Sequence, residues 1–205
     1  MKVVLVNGGP HEKGCTYTAL KEISSALEKQ GVESEIIWLG KQPIAGCCGC
    51  GTCRKSGKCV FDDCVNALAD KFENADGYVF GSPVHYAAAS GAIVSFMDRL
   101  FYSHSKALAY KPAAAIVSCR RGGATATFDQ LNKYFTINQM PVVTSNYWNQ
   151  IHGNTAEEAM QDEEGLQTMR VLGYNMAWLL KCIDLGKQAG LEPEKEVKIK
   201  TNYIR

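Results

Sequence analysis

Met1-Lys-Val-Val-Leu-Val6-Asn7-Gly-Gly-Pro-His-Glu-Lys-Gly-Cys-Thr-Tyr-Thr18 begins the chain, and a strand, a turn and a helix start can be read in it. Val3 to Val6 is a short β-branched run ended by glycines, the pattern of a strand buried on both faces. Asn7-Gly8-Gly9-Pro10 breaks it. From Thr16 to Lys29 the apolar positions Ala19, Leu20, Ile23, Ala26 and Leu27 recur at helical spacing, and Gly31 stops the helix. Strand, glycine-rich turn and helix in that order are the first half of a βαβ unit.

The alternation continues outward. Glu33 to Leu39 reads as a second strand through Ile36, Ile37 and Trp38. Asp62 and Asp63 open a helix whose apolar face is Val65, Leu68, Ala69 and Phe72, with acidic residues suited to the positive end of the helix dipole. Gly77 to Gly81 is a third strand, expected to end at Ser82-Pro83 because proline cannot continue a ladder. Ala92 to Tyr102 is helical, with Ile93, Phe96, Met97, Leu100 and Phe101 on one face. Ala113 to Val117 is a fourth strand and Thr127 to Phe135 a helix. Pro141 to Thr144 starts a fifth strand, and Glu157 to Gln188 is helix-rich. Strands alternating with helices imply an α/β, three-layer fold: a five-stranded parallel sheet with helices on both faces. The expected organisation is one domain over residues 1–190 with an inserted cysteine loop at 44–60, then a charged tail at 191–205.

Composition narrows the class. The 205 residues carry a formal net charge of +1, which argues against nucleic-acid binding by bulk electrostatics. No apolar run approaches the length needed to span a membrane. The first residues lack a signal-peptide pattern, so a cytoplasmic protein is expected. Nine cysteines, an odd number, fit poorly with a disulfide framework in that compartment. Cys119 and Cys182, in apolar-patterned segments, are expected to be small core residues.

In open parallel sheets, ligands bind beyond the carboxyl ends of the strands. The loop after the first strand, Asn7 to Thr18, can hold a phosphate dianion on the backbone amides of a helix N-terminus, with the Thr16 and Thr18 hydroxyls, Tyr17 and His11 nearby. It is neither a Walker loop nor G-x-G-x-x-G, which disfavours triphosphate hydrolysis and dinucleotide binding of the Rossmann type. The loops Gly81-Ser-Pro-Val-His-Tyr86 and Ser118-Cys-Arg-Arg-Gly-Gly123 suit a planar heterocycle. Val84, His85 and Tyr86 offer amides and ring faces. Arg120 and Arg121 offer positive charge, and Gly122 and Gly123 permit close approach.

Cys47-Cys-Gly-Cys50-Gly-Thr-Cys53-Arg-Lys-Ser-Gly-Lys-Cys59 contains C-x2-C-x2-C-x5-C. Four soft thiolates at that spacing, Cys47, Cys50, Cys53 and Cys59, suit a [4Fe–4S] cluster with one ligand per iron. Gly46, Gly49, Gly51 and Gly57 are expected to give the positive φ that such a tightly folded loop needs. Zinc usually takes two C-x2-C pairs with a longer linker; zinc, and a loop of free thiols without metal, stand as alternatives. Cys48 and Cys64 do not match the spacing.

Asn7-Gly-Gly-Pro with Gly14-Cys-Thr16, then Gly81-Ser-Pro-Val-His-Tyr86, then Phe96-Met-Asp-Arg99, resemble the NADPH-dependent FMN reductase family over roughly residues 1–150. The cysteine run resembles that family's iron–sulfur flavoprotein branch. The resemblance implies a flavodoxin-like fold with strand order 2-1-3-4-5, and FMN held by Gly9, His11, Cys15, Thr16 and Tyr17 at its phosphate. It places Pro83, Val84, His85 and Tyr86 at the ring, with Arg120, Arg121, Gly122 and Gly123 along the other edge. The family often has Ser, Arg and Asn where this chain has Gly9, His11 and Cys15. The implied activity is an FMN-dependent oxidoreductase using NAD(P)H, passing electrons to a small acceptor or through the cluster to a redox protein. His85 or Tyr86 would stabilise charge at the reduced ring. A non-enzymatic electron carrier is the alternative. The family also implies a homodimer or homotetramer, with neither nucleic acid nor membrane as partner. Asn146 to Gly153 carries no motif with a legible mechanism.

Overall fold

The computed structural model describes residues 1–201 and 203; the end of the expected charged tail, residues 202, 204 and 205, lies outside the described residues. Among the described residues six strands and seven helices follow one another: β1 (Lys2–Asn7), α1 (Cys15–Lys29), β2 (Glu33–Trp38), α2 (Cys53–Ser56), α3 (Cys64–Asn74), β3 (Gly77–His85), β4 (Ala88–Ala89), α4 (Gly91–Leu108), β5 (Ala113–Cys119), α5 (Ala124–Ile137), β6 (Gln150–His152), α6 (Ala156–Ala159) and α7 (Glu163–Gln188). The sheet runs β2-β1-β3-β5-β6, all parallel, and β4 pairs antiparallel with the end of β3. Counting parallel strands alone, this is the expected order 2-1-3-4-5 of a flavodoxin-like fold.

Alternate residues of each strand face opposite sides. Val4, Val6, Tyr78, Phe80, Ala115 and Val117 pack with Phe72 of α3, Ile93, Phe96 and Leu100 of α4, and Leu131 and Phe135 of α5. Val3, Leu5, Val79, Ala114 and Ile116 pack on the other side with Leu20, Ile23 and Leu27 of α1 and Met169, Leu172 and Met176 of α7. Each large aliphatic side chain so buried contributes about 1.5–3 kcal/mol relative to exposure. Val3 to Val6 are wholly inaccessible, as a strand covered on both faces requires.

Two strand expectations are corrected. β3 does not end at Pro83; it runs to His85, and Pro83 pairs with Ser118. The Tyr78 amide donates towards β5, to the Pro112 carbonyl, so by alternation the nitrogen of Pro83 faces the β1 side. There β1 has already ended, its last pair being Asn7 with Gly81, and no donor is missed. The fifth strand is not Pro141 to Thr144 but Gln150–His152; the earlier segment makes one bridge, Val142 with Ala113. Between them Ser145 bonds to Tyr147 and Asn149, a turn that takes the chain out of the sheet. The Asn149 side chain then donates to the Ala115 carbonyl and returns it.

Three further points concern helices and cysteines. The helix-rich stretch 157–188 resolves into two helices, α6 and α7, each with its own cap, Thr155 and Asp162. Cys119 is buried as expected, but Cys182 is exposed, because it lies across α7 from the buried positions Ala177 and Leu180. The short helix α2, inside the cysteine loop, is not signalled by any apolar periodicity. Residues 191–201 are exposed and without regular structure.

Candidate functional site

The carboxyl ends of β1, β3, β5 and β6 surround a cleft of about 220 Å³. Gly9, Pro10, His11, Gly14, Cys15 and Thr16 form one wall; Pro83, Val84, His85, Ser118 and Arg120 form the opposite one; Gly153 and Asn154 close the far end. Asn7, buried, folds the first loop: its amide donates to the Glu12 carbonyl at 3.0 Å and its oxygen accepts the Gly9 N–H at 2.9 Å. The Gly8 N–H is bonded to the Gly81 carbonyl, and Trp38 Nε1 donates to the Gly9 carbonyl. The loop's own amides at Gly8 and Gly9 are therefore spent on holding its shape. The free donors lie one step on. Gly14 begins α1 without any side-chain cap, so the first-turn amides of Cys15, Thr16 and Tyr17 have no intrahelical partner. With the dipole of a 15-residue helix behind them and Arg120 across the cleft, they form an anion site.

The predicted phosphate residues divide accordingly. Gly9, His11, Cys15 and Thr16 line the cleft; Tyr17 does not. Thr16 is buried, its hydroxyl 2.8 Å from that of Ser118, so it ties α1 to β5. The Cys15 thiol donates to the Gly153 carbonyl, and burial first, then the nearby Glu158 and Glu157, pushes its pKa up. Cys15 is thus a neutral thiol at the α1 end of the cleft.

The predicted ring residues divide as well. Pro83, Val84, His85 and Arg120 line the cleft, whereas Tyr86, Arg121, Gly122 and Gly123 do not. Tyr86 and Ala87 form the two-residue turn between β3 and β4, with φ of 51° and 58°. Positive φ at both central positions is the type I′ hairpin geometry, usually filled by Asn or Gly. Tyr86 is fully exposed at its tip. Gly123, φ 89°, lies against that tip: a Cβ there would meet Ala87 Cα at 2.7 Å. Gly123 therefore seats the hairpin rather than facing the cleft. Ser118, Gly153 and Asn154 are cleft residues the sequence reading did not single out. Ser118 stood inside a quoted loop; Gly153 and Asn154 follow a strand only three residues long, too short to announce itself.

A second groove, lined by Gly8 to His11, Gly40 to Ile44, His85, Ser90 to Ala92 and Ser95, runs from the cleft towards the cysteine loop. His11 and His85 line both.

The four expected ligands, Cys47, Cys50, Cys53 and Cys59, line one small cavity together with Cys48, Val60, Phe61, Arg99 and Tyr102. No residue lines both this cavity and the cleft. Among the described residues, no three His, Cys, Asp or Glu side chains converge as the ligands of a single ion do. Gly49, Gly51 and Gly57 have φ of 68°, 72° and 73°, as anticipated, whereas Gly46 does not adopt positive φ. Hydrogen bonds from the Thr52 side chain and backbone draw the Cys50 pKa down. Cys59 is held by Asn66, whose side chain bonds both its N–H and its carbonyl at 2.9 Å. Arg99 Nε donates to Cys59 Sγ at 3.1 Å. Four thiols around one cavity, with amide and guanidinium donors beside them, form a donor set that fits an iron–sulfur cluster. Cys64 points into the core beside α4 instead, and burial raises its pKa.

Residues 1–155 match the family described as NADPH-dependent FMN reductase. An iron-sulfur flavoprotein of Methanocaldococcus jannaschii is 31% identical over 194 residues, covering 89% of this chain and 99% of that protein. One from Methanosarcina thermophila is 28% identical over 192 residues, covering 89% and 97%. Among solved structures, RosB with its bound intermediate 8-demethyl-8-formylriboflavin-5'-phosphate has a TM-score of 0.69 at 14% identity, covering 99% of this chain and 92% of that one. A flavodoxin from the domain Archaea has a TM-score of 0.61 at 19% identity, covering 88% and 99%. At such identities the structural likeness speaks for the fold.

Proposed function

This chain belongs to the NADPH-dependent FMN reductase family, in its iron–sulfur flavoprotein branch, and from that premise we propose that it is an FMN-dependent oxidoreductase drawing electrons from NAD(P)H. The observation that carries the reading is the uncapped N-terminus of α1 opening into a cleft at the carboxyl ends of β1, β3 and β5. When bound there, FMN supplies hydride acceptance at N5, and a [4Fe–4S] cluster on Cys47, Cys50, Cys53 and Cys59 would carry its electrons singly to a redox partner.

The protein's own work is binding and positioning. The Cys15, Thr16 and Tyr17 amides hold the phosphate, assisted by Arg120 and His11. Gly9 sits in a tight place: a Cβ there would stand 3.0 Å from Asn7 Oδ1 and 3.2 Å from Thr16 Oγ1, so either side chain would have to give by a few tenths of an ångström. Pro83 and Val84 supply a flat, half-buried floor for the ring. His85, exposed and lining both cleft and groove, is placed to donate a hydrogen bond to the reduced ring. Tyr86 reaches the ring only from the hairpin tip. We place the protein in the cytoplasm as a homodimer or homotetramer; among the described residues no helix is long and apolar enough to cross a membrane.

Anaerobic purification followed by iron, sulfide and FMN quantitation on one sample tests the cofactors. FMN with about four irons per chain is expected; FMN without iron removes the cluster, and no flavin removes the reading altogether. Rapid bleaching of the bound flavin by NADPH or NADH is expected of a reductase. A flavin that bleaches only with a reduced partner protein would make it a carrier. In His85→Ala, FMN binding should persist while flavin reduction slows; unchanged kinetics would dismiss His85.

A further inference from the structure

We propose that Arg99 is a positioning residue for the cysteine loop: it closes the loop at both ends and, through its N–H on Cys59 Sγ, sets the reduction potential of the cluster held there. The inference rests on the reading of the loop as a cluster site.

Arg99 lies on α4, and its side chain is 1% exposed. A guanidinium has five N–H donors, and here each has a partner. Nη1 donates to Asp63 Oδ2 at 2.6 Å and to the Ala45 carbonyl at 3.2 Å. Nη2 donates to Asp63 Oδ1 at 2.7 Å and to the Phe61 carbonyl at 3.1 Å. Nε takes Cys59 Sγ. Ala45 precedes the first cysteine and Phe61 follows the last, so one side chain joins the two ends of the loop. Its carbon rests 5.0 Å from the centroid of the Phe61 ring, which shields the junction from water.

The other half of the pair is equally engaged. Asp63 caps α3 by accepting the Val65 N–H, and it receives Arg99 through both oxygens. The loop is therefore fastened to the start of α3 and the middle of α4 through a single bidentate ion pair. Lysine has no planar fork and could not meet five acceptors in these directions. The electrostatic consequence follows from the same contacts. Reduction adds negative charge to the cluster, and hydrogen bonds to its sulfurs favour the reduced state. Asp63 offsets much of the guanidinium charge, so the net effect on Cys59 is that of the Nε–H aimed at its sulfur plus the remaining positive field. Removing the donor and removing the counter-charge should then act in opposite directions.

The test uses the full-length, anaerobically reconstituted protein and an EPR-monitored redox titration. In Arg99→Lys and Arg99→Gln the cluster midpoint should fall, and a chelator should strip iron about 10- to 100-fold faster. In Asp63→Asn, with Arg99 uncompensated, the midpoint of the retained cluster should rise. FMN content should be unchanged in all three. Hydrogen exchange across residues 45–61 of the apoprotein should quicken in the Arg99 variants, a readout independent of any cluster. Faster exchange with an unmoved midpoint would reduce Arg99 to a structural tie and overturn its tuning role; unchanged exchange would overturn the closure. A wild-type protein that takes up no iron would instead strike down the cluster reading, and the tuning with it. Should Arg99→Gln fail to fold, Arg99→Lys and Asp63→Asn decide the matter.

Discussion

Tyr86 occupies a backbone conformation that a bulky residue adopts at a cost of about 1–3 kcal/mol, and nothing in the fold recovers it through burial. Tyr86→Asn, a residue that tolerates positive φ, should raise stability by about 0.5–1 kcal/mol in thermal melts while slowing reduction of bound FMN by NAD(P)H. A variant no more stable than the parent would show that the hairpin carries no strain. Thr16 presents the reverse case. Its hydroxyl is buried against Ser118, so Thr16→Val leaves Ser118 Oγ without its partner. A loss of about 1–3 kcal/mol is expected by urea denaturation, together with weaker FMN binding, because the α1 N-terminus is no longer pinned to β5.

At the level of elements, α1 and α7 cross where Gly173 faces α1. A Cβ at Gly173 would stand 2.6 Å from Ala26 Cβ and 3.0 Å from the Ile23 carbonyl. Replacing a helical glycine by alanine ordinarily stabilises by about 1 kcal/mol. Gly173→Ala should invert that sign and destabilise by about 1–3 kcal/mol, because the helices cannot approach. Gly186, on the same helix, meets nothing nearer than 3.9 Å, so Gly186→Ala should show the ordinary gain. Equal effects at the two sites would contradict the packing account.

The β2 edge is fastened electrostatically. Hydrogen bonds from Lys71 and then Lys2, against a smaller opposing effect of burial, hold the Glu35 carboxyl below its usual range. Its folded pKa lies below its unfolded one, so this contribution is complete above about pH 4.3 and drains away as the pH falls through the folded value. Glu35 is partly exposed, which limits the gain to about 0.2–1 kcal/mol per pair. Glu35→Gln should flatten the acid limb of the stability–pH curve and leave the neutral region lower by that amount.

For the whole molecule, cofactor and fold are linked. A ligand that binds only the folded state stabilises it by about 2.7 kcal/mol at a hundred times its dissociation constant. Added FMN should therefore raise the melting temperature of the apoprotein in proportion to the logarithm of its concentration, and a flat response would count against the cleft as its site. The cysteine loop should behave as a separate unit. It shares no lining residue with the cleft, so stripping iron should leave FMN affinity nearly unchanged.

The layered α/β fold and the location of the loops were legible in sequence because apolar periodicity and glycine punctuation are local signals, whereas the strand order was implied only by the resemblance of the loop motifs to a family. Val3 to Val6 has the pattern of a buried strand and is one, and the C-x2-C-x2-C-x5-C run marked the four cysteines that line one cavity. Tertiary structure decided what local signals cannot carry. Pro83 continues a strand because its neighbour has already ended, and the edge strand lies at Gln150–His152 because Asn149 bonds to a strand distant in sequence. Thr16 faces Ser118, and Arg99 meets Cys59 forty residues away. Those contacts join segments whose proximity depends on chain crossovers and helix packing, and no periodicity within either segment encodes its partner.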